Sequence, residues 1–285
     1  MEAVPLSYGL PEEVEVASYH TRAVERWGNN GTLIHAIDQV AEEVPVAMVY
    51  NGISHAVMLA TPMSLEQFGL GFSLSEGILH SRRELYDMEV VKRKDGIELQ
   101  MTISQERFVE LKQRRRNLAG RTGCGLCGAE SLQQVLRHPK PVACDRRFGP
   151  EVVHTALRRL SQMQSLQTLT GAVHAAVWVT ANGSIAYIEE DIGRHNALDK
   201  LIGTLAKNSV DLKQGFAIVT SRASYEMVQK AATIGIPMMV AVSAPTCLAI
   251  DMAQRAGLTL VGFARGGGHV IYTHSQRFVD QQKPS

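Results

Sequence analysis

The stretch GFAIVTSRASYEMVQKAATIGIPMMVAVSAPTCLAIDMAQRAGLTLVGFARGG (215–267) reads as strand, helix, strand, helix, strand. The strands are expected at Phe216–Ser221, Pro237–Val242 and Leu258–Phe263, and the helices at Tyr225–Ile234 and Thr246–Ala256, the second closed by Gly257. Such spacing implies right-handed crossovers over a mostly parallel sheet with helices on both faces. Ligands of such sheets bind outside the carboxyl ends of the strands.

Outward from that stretch the pattern continues. Upstream come a helix (Val153–Gln164), a hairpin turning at Asn182-Gly183 between strands Ala172–Thr180 and Ser184–Glu190, and a helix (Asn196–Ala206); downstream comes a strand, Val270–Thr273. Residues 151–285 thus read as an α/β domain with a ligand-binding edge, and residues 41–150 as a smaller N-terminal α+β subdomain. In the latter, Asn51-Gly52 marks a hairpin between PVAMVY and ISHAVML, Ser64 with Gln67 gives a capping-box pattern ahead of a helix, and a strand (Ile97–Ser104) precedes a basic helix (Glu106–Asn117). The subdomain ends in a long loop, Leu118–Pro150, holding at most one helix, Glu130–Arg137. Residues 1–40 read as an irregular extension with one short strand at Thr32–Ile37.

Composition excludes several classes. The 285 residues are 45% hydrophobic and 20% charged, as in ordinary globular proteins. Lys and Arg number 29 against 28 Asp and Glu, too balanced for a general nucleic-acid binder, so any basic site is local. The start lacks a signal-peptide pattern and no apolar run could span a membrane, which makes a cytoplasmic protein the expectation. Four cysteines are too few for a disulfide framework.

Two of those cysteines carry the chemistry. In GRTGCGLCG, Cys124 and Cys127 stand two residues apart among Gly123, Gly125 and Gly128, whose lack of side chains leaves the backbone free to move the thiols. Lys112, Arg114, Arg115, Arg116 and Arg121 form a cationic cluster upstream that favours thiolate and attracts anions. A structural zinc site lacks a second cysteine pair, though Cys144 with a histidine could complete one, and no intrinsic metal is expected. By itself a CxxC pair leaves metal, redox and sulfur-transfer roles open. Cys144 and Cys247 read as buried or incidental thiols, and His174 and the methionines at 48, 58, 238 and 239 as core residues.

At the expected ligand edge stand Glu189, Glu190, Asp191, Arg194 and His195, with Ser221, Arg222 and Ser224 after the next strand. Phe263, Ala264, Arg265, Gly266, Gly267 and Gly268 then offer a cation and bare backbone amides suited to phosphate oxygens. Glu76 reads as either a buried charge partner or an exposed helix residue.

The blocks Glu42–Pro62, Gly71–Ile78, Ala119–Gly128, Glu190–Gly203, Ser221–Pro237 and Leu258–Gly267 closely resemble the FdhD family, in the family's order from about residue 40 almost to the end. The resemblance implies a sulfur carrier required for formate dehydrogenase activity. It would take persulfide sulfur from a cysteine desulfurase on Cys124, with Cys127 as partner, and deliver it to the bis-molybdopterin guanine dinucleotide molybdenum cofactor as bound substrate. It also implies a cofactor loop at residues 263–268 and a cytidine deaminase-like sheet domain. The deaminase metal signature itself is missing, since His174 is followed by Ala-Ala. Family members often carry Lys followed three residues later by Arg in the cofactor loop, where this chain has Arg265 and Gly268. A cofactor-binding chaperone whose cysteines hold metal or loop structure is the alternative. Open hydrophobic strands make a homodimer the expected assembly.

Overall fold

The computed structural model describes residues 17–118, 139–265 and 267–279. Its centre is a six-stranded sheet in the order β12-β11-β10-β9-β7-β8, built from β7 (His174–Thr180), β8 (Ile185–Asp191), β9 (Gly215–Val219), β10 (Met238–Ala241), β11 (Thr259–Arg265) and β12 (Gly268–Ile271). Period-two alternation divides each strand between two cores. Ala176, Trp178, Ala217, Val219, Met239, Ala241 and Leu260 point to one face. That face is covered by α5 (Arg194–Lys207), α6 (Tyr225–Thr233) and α7 (Cys247–Arg255). Val177, Val179, Phe216, Ile218, Met238, Val240 and Val261 point to the other, against α3 (Pro150–Met163). Burial on both faces is why FAIV and MMVA are continuous apolar runs.

The sheet is mixed rather than mostly parallel. Only β9–β10 and β10–β11 pair in parallel, while β7–β8, β7–β9 and β11–β12 pair antiparallel. The crossover through α5 does join two strands of like direction, β8 and β9, but β7 lies between them. A crossover fixes relative direction and not adjacency, so local spacing was blind to the inserted strand. Helices on both faces are as expected from the sequence.

The second sheet, β4-β3-β6-β5, joins β3 (Val44–Tyr50), β4 (Ile53–Ala60), β5 (Leu85–Arg93) and β6 (Gly96–Ile103). Its turn at Asn51 (φ 45°) and Gly52 (φ 80°) has the two positive φ angles that the Asn-Gly pair foretold. Strand β5 escaped the sequence reading because its LYDMEVVKR alternates charges on a largely solvent-facing strand. Helix α1 (Leu65–Ser75) covers this sheet with Phe68 and Phe72, and α2 (Gln105–Leu118) follows β6. Ser64 does not cap α1 through its side chain: its backbone is left-handed (φ 50°), and its carbonyl instead accepts from Phe68 N at 2.8 Å. Residues 19–41, read as irregular but for a short strand, form a ribbon of β1 (Tyr19–Trp27) and β2 (Leu33–Ala41) in unbroken antiparallel register. The short helix α4 (Ser165–Thr170) precedes β7.

Candidate functional site

Direction in the sheet gathers the site. β8, β9, β10 and β11 all end at one edge, and antiparallel β7 begins there, placing His174 opposite Asp191 and Ala176 opposite Val219. The chain leaving β9 passes Ser221, Arg222 and Ser224; near the end of β11 the register with β12 shifts at Phe263, whose amide donates to Ser243 O at 3.1 Å. Arg194, His195, Arg222, Phe263, Ala264, Arg265, Gly267 and Gly268 therefore share this edge. Cys124, Cys127, Arg121 and Gly266 lie outside the described residues.

At the start of α5, His195 Nε2 meets Glu226 Oε2 of α6 at 3.0 Å and Ser224 Oγ at 3.5 Å. The hydrogen bond from His195 holds the Glu226 carboxyl below the usual carboxylate range, against partial burial. Burial holds the His174 imidazole below its ordinary pKa, and the charges of Arg194 and His195 add to the effect. His174 is half-buried at this edge rather than enclosed in the core. Arg194 Nε is buried and has no hydrogen-bond partner among the described residues. A buried donor left unpaired is costly, and an acceptor on a ligand would remove that cost.

Arg222 and Arg265 are exposed, and their side chains make no hydrogen bond or ion pair among the described residues. Phe263 has φ 51° and is 40% exposed, a strained position for a bulky residue and an open aromatic face at the edge. Gly267 (φ 82°) and Gly268 are exposed, and a Cβ on either would meet nothing within 4 Å, so their backbone is open to approach. Together these groups suit an anionic ligand with an aromatic base. No three His, Cys, Asp or Glu side chains converge as metal ligands among the described residues.

The neighbouring carboxylates serve the fold instead. Glu190 caps α4, accepting from Leu166 N (3.0 Å) and Gln167 N (2.9 Å), where its charge also suits the helix N-terminus. Asp191 accepts from Thr61 N (3.1 Å), Gly193 N (2.8 Å) and Asn196 Nδ2 (2.9 Å), and pairs with Lys200 Nζ at 2.6 Å; both members of that pair are fully buried. Lys200 also donates to Thr61 O and Oγ1 at the end of β4, tying the smaller sheet to α5. A second buried pair, Lys230 with Asp199 at 2.9 Å, extends to Ser75 and to Glu76 at 2.8 Å. Glu76 is thus a charge partner across helices. Burial would lower the Lys230 ammonium, but Asp199 and Glu76 outweigh it and hold its pKa above the ordinary value.

The sequence contained a signal for this network. Asn196, Asp199, Lys200 and Gly203 recur at helical i, i+3, i+4, i+7 spacing, a polar stripe on an otherwise apolar helix. Of the two thiols read as buried or incidental, Cys247 is not buried: it is exposed in the first turn of α7 beside the same edge, while Cys144 is half-buried.

Fold and edge define the class first: a mixed-sheet α/β protein whose unpaired arginines and glycine amides cluster where the strands end. The profile of the FdhD/NarQ family matches residues 41–279, and the chain belongs to this family. It is 56% identical over 265 residues, 93% of this chain and 92% of the relative, to a protein of Cupriavidus necator named sulfur carrier protein FdhD. A crystal structure of a formate dehydrogenase accessory protein from Desulfotalea psychrophila superposes with a TM-score of 0.71 at 22% identity, covering 92% of this chain and all of that one, which establishes the shared fold.

Proposed function

We propose that this protein is a sulfur carrier in the maturation of formate dehydrogenase, with Cys124 as its sulfur-bearing residue. The Cys124 thiolate attacks the outer sulfur of a cysteine desulfurase persulfide; the donor S–S bond breaks and the desulfurase thiolate leaves with the electron pair. Cys124 then carries one zero-valent sulfur, which passes to a molybdenum cofactor of the bis-guanine dinucleotide type, the substrate of the transfer. Arg194, Arg222, Arg265 and the exposed glycine backbone at Gly267 and Gly268 bind its pyrophosphates, and Phe263 offers a face to a guanine base.

The observation that carries this reading is the orphaned, buried Arg194 Nε amid unpaired arginines at the strand ends, in a member of the FdhD/NarQ family. The deciding experiment replaces Cys124 by Ala. After incubation with desulfurase and cysteine, the variant should lose protein-bound labile sulfur, and cells carrying it should lose formate dehydrogenase activity. Full activity in those cells would overturn the reading in favour of a cofactor-binding chaperone.

A further inference from the structure

A second cationic site lies at the opposite edge of the sheet. Lys213 and Gln214 immediately precede β9, and with Cys144, Asp145, Arg146 and Arg147 they line a cleft of about 510 Å³. The five residues of β9, about 17 Å of strand, separate it from Arg222.

This cleft has a fixed wall and a surplus of positive charge. Val142 N donates to Ala256 O at 2.8 Å and Phe148 N to Arg277 O at 2.7 Å, anchoring the segment at both ends. Behind it the Arg277 guanidinium, only 6% exposed, donates to Cys144 O (3.1 Å), Val142 O (3.3 Å), Gly257 O (2.7 Å) and Thr259 Oγ1 (3.0 Å). These partners are all uncharged, so among the described residues a buried cation without a carboxylate partner sits beneath the cleft. The side chains of Arg146, Arg147 and Lys213 make no hydrogen bond or ion pair among the described residues, and Asp145 is the single carboxylate of the lining. The Cys144 thiol stands in the wall, its Sγ 3.9 Å from Lys213 O.

We propose that this cleft binds a small doubly charged sulfur oxyanion of the thiosulfate class and that Cys144 takes up its outer sulfur. Charge alone suits any sulfate or phosphate, and a thiol alone suits many electrophiles. An anion carrying a transferable sulfur uses both. The Cys144 thiolate forms a bond to the outer sulfur, the S–S bond of thiosulfate breaks, and sulfite leaves with the bonding pair. The thiol proton goes to solvent and Cys144 remains as a persulfide. No external oxidant or reductant is needed, because the sulfur arrives zero-valent. The inference is independent of the role given to Cys124.

The full-length protein is incubated with thiosulfate, and transferred sulfur is read as cyanide-labile sulfur and by mass spectrometry of the Cys144 peptide. One added sulfur is expected on Cys144, retained in Cys124→Ala, absent in Cys144→Ser, and formed about tenfold more slowly when Arg146 and Arg147 are both Ala, as loss of charge-assisted contacts requires. Sulfate and phosphate should slow the reaction by occupying the cleft. The Cys144→Ser variant and the double arginine variant should keep the thermal midpoint of the parent, which separates lost binding from lost folding. Unmodified Cys144, equal labelling of exposed Cys247, or a parental rate in the double arginine variant would each overturn the proposal. Any of these leaves desulfurase-dependent loading of Cys124 untouched.

Discussion

Arg194 brings a long donor group to the start of α5 and leaves its Nε buried without an acceptor among the described residues. If that atom awaits a phosphate oxygen, Arg194→Met should weaken GDP binding about tenfold, the worth of one charge-assisted hydrogen bond, as read by calorimetry. An unchanged Kd would remove Arg194 from the site. Lys200 is the opposite case, a charge with every partner supplied. Burial pulls its pKa below the ordinary lysine value although Asp191 opposes the shift. Lys200→Met strands the Asp191 carboxylate and should cost about 3–5 kcal/mol in urea unfolding, part of which returns when Asp191→Asn is added. The types and spacing of these residues were legible in the sequence. Which of them faced ligand and which faced protein was not, because Asp191 and Arg194 are three positions apart and only packing sends one inward and leaves the other at the edge.

Helices α1 and α5 illustrate the element scale. Both would show steric overlap if their glycines carried a side chain: a Cβ on Gly71 collides with the Asp199 carbonyl, and one on Gly203 with the Gln67 carbonyl. The two backbones therefore touch, and that approach lets Ser75 Oγ donate to Asp199 Oδ1 at 2.6 Å. Gly203→Ala should destabilise the protein by at least about 1–3 kcal/mol, the usual penalty of overpacking, even though alanine is the better helix former. A stability gain in thermal unfolding would contradict the close crossing. At this scale the hairpins at Asn51-Gly52 and Asn182-Gly183 were readable because turn chemistry is local. The β1–β2 ribbon was not, since its pairing is settled by contact between strands.

For the whole molecule, histidines give stability a pH dependence. Burial holds His269 below the ordinary value of 6.5, and the charge of His154, 3.2 Å away, adds to it; His174 is lowered by burial and by Arg194 and His195. The unfolded chain takes up protons at these sites as pH falls through about 6.5, while the folded chain resists them. More protons on the unfolded state means stability must fall with pH in that window, before the carboxylates begin to titrate. The thermal midpoint should drop between pH 7 and pH 5.5, and His269→Gln should flatten part of that slope. A flat profile in the parent would show that the folded histidines accept protons freely.

The sequence by itself determined that this is an α/β chain, where most of its helices and strands lie, and that Arg194, Arg222 and the 263–268 segment lie at strand ends. Those properties depend on hydrophobic period and turn residues, which act over a few positions. Tertiary structure alone decided that β7 slips between β8 and β9, that two glycines let α1 meet α5, and that Asp191, Asp199, Lys200 and Lys230 become buried pairs. Each of these needs residues far apart in the chain to meet, and a charge in a sequence shows its partner only when the fold has removed the water between them.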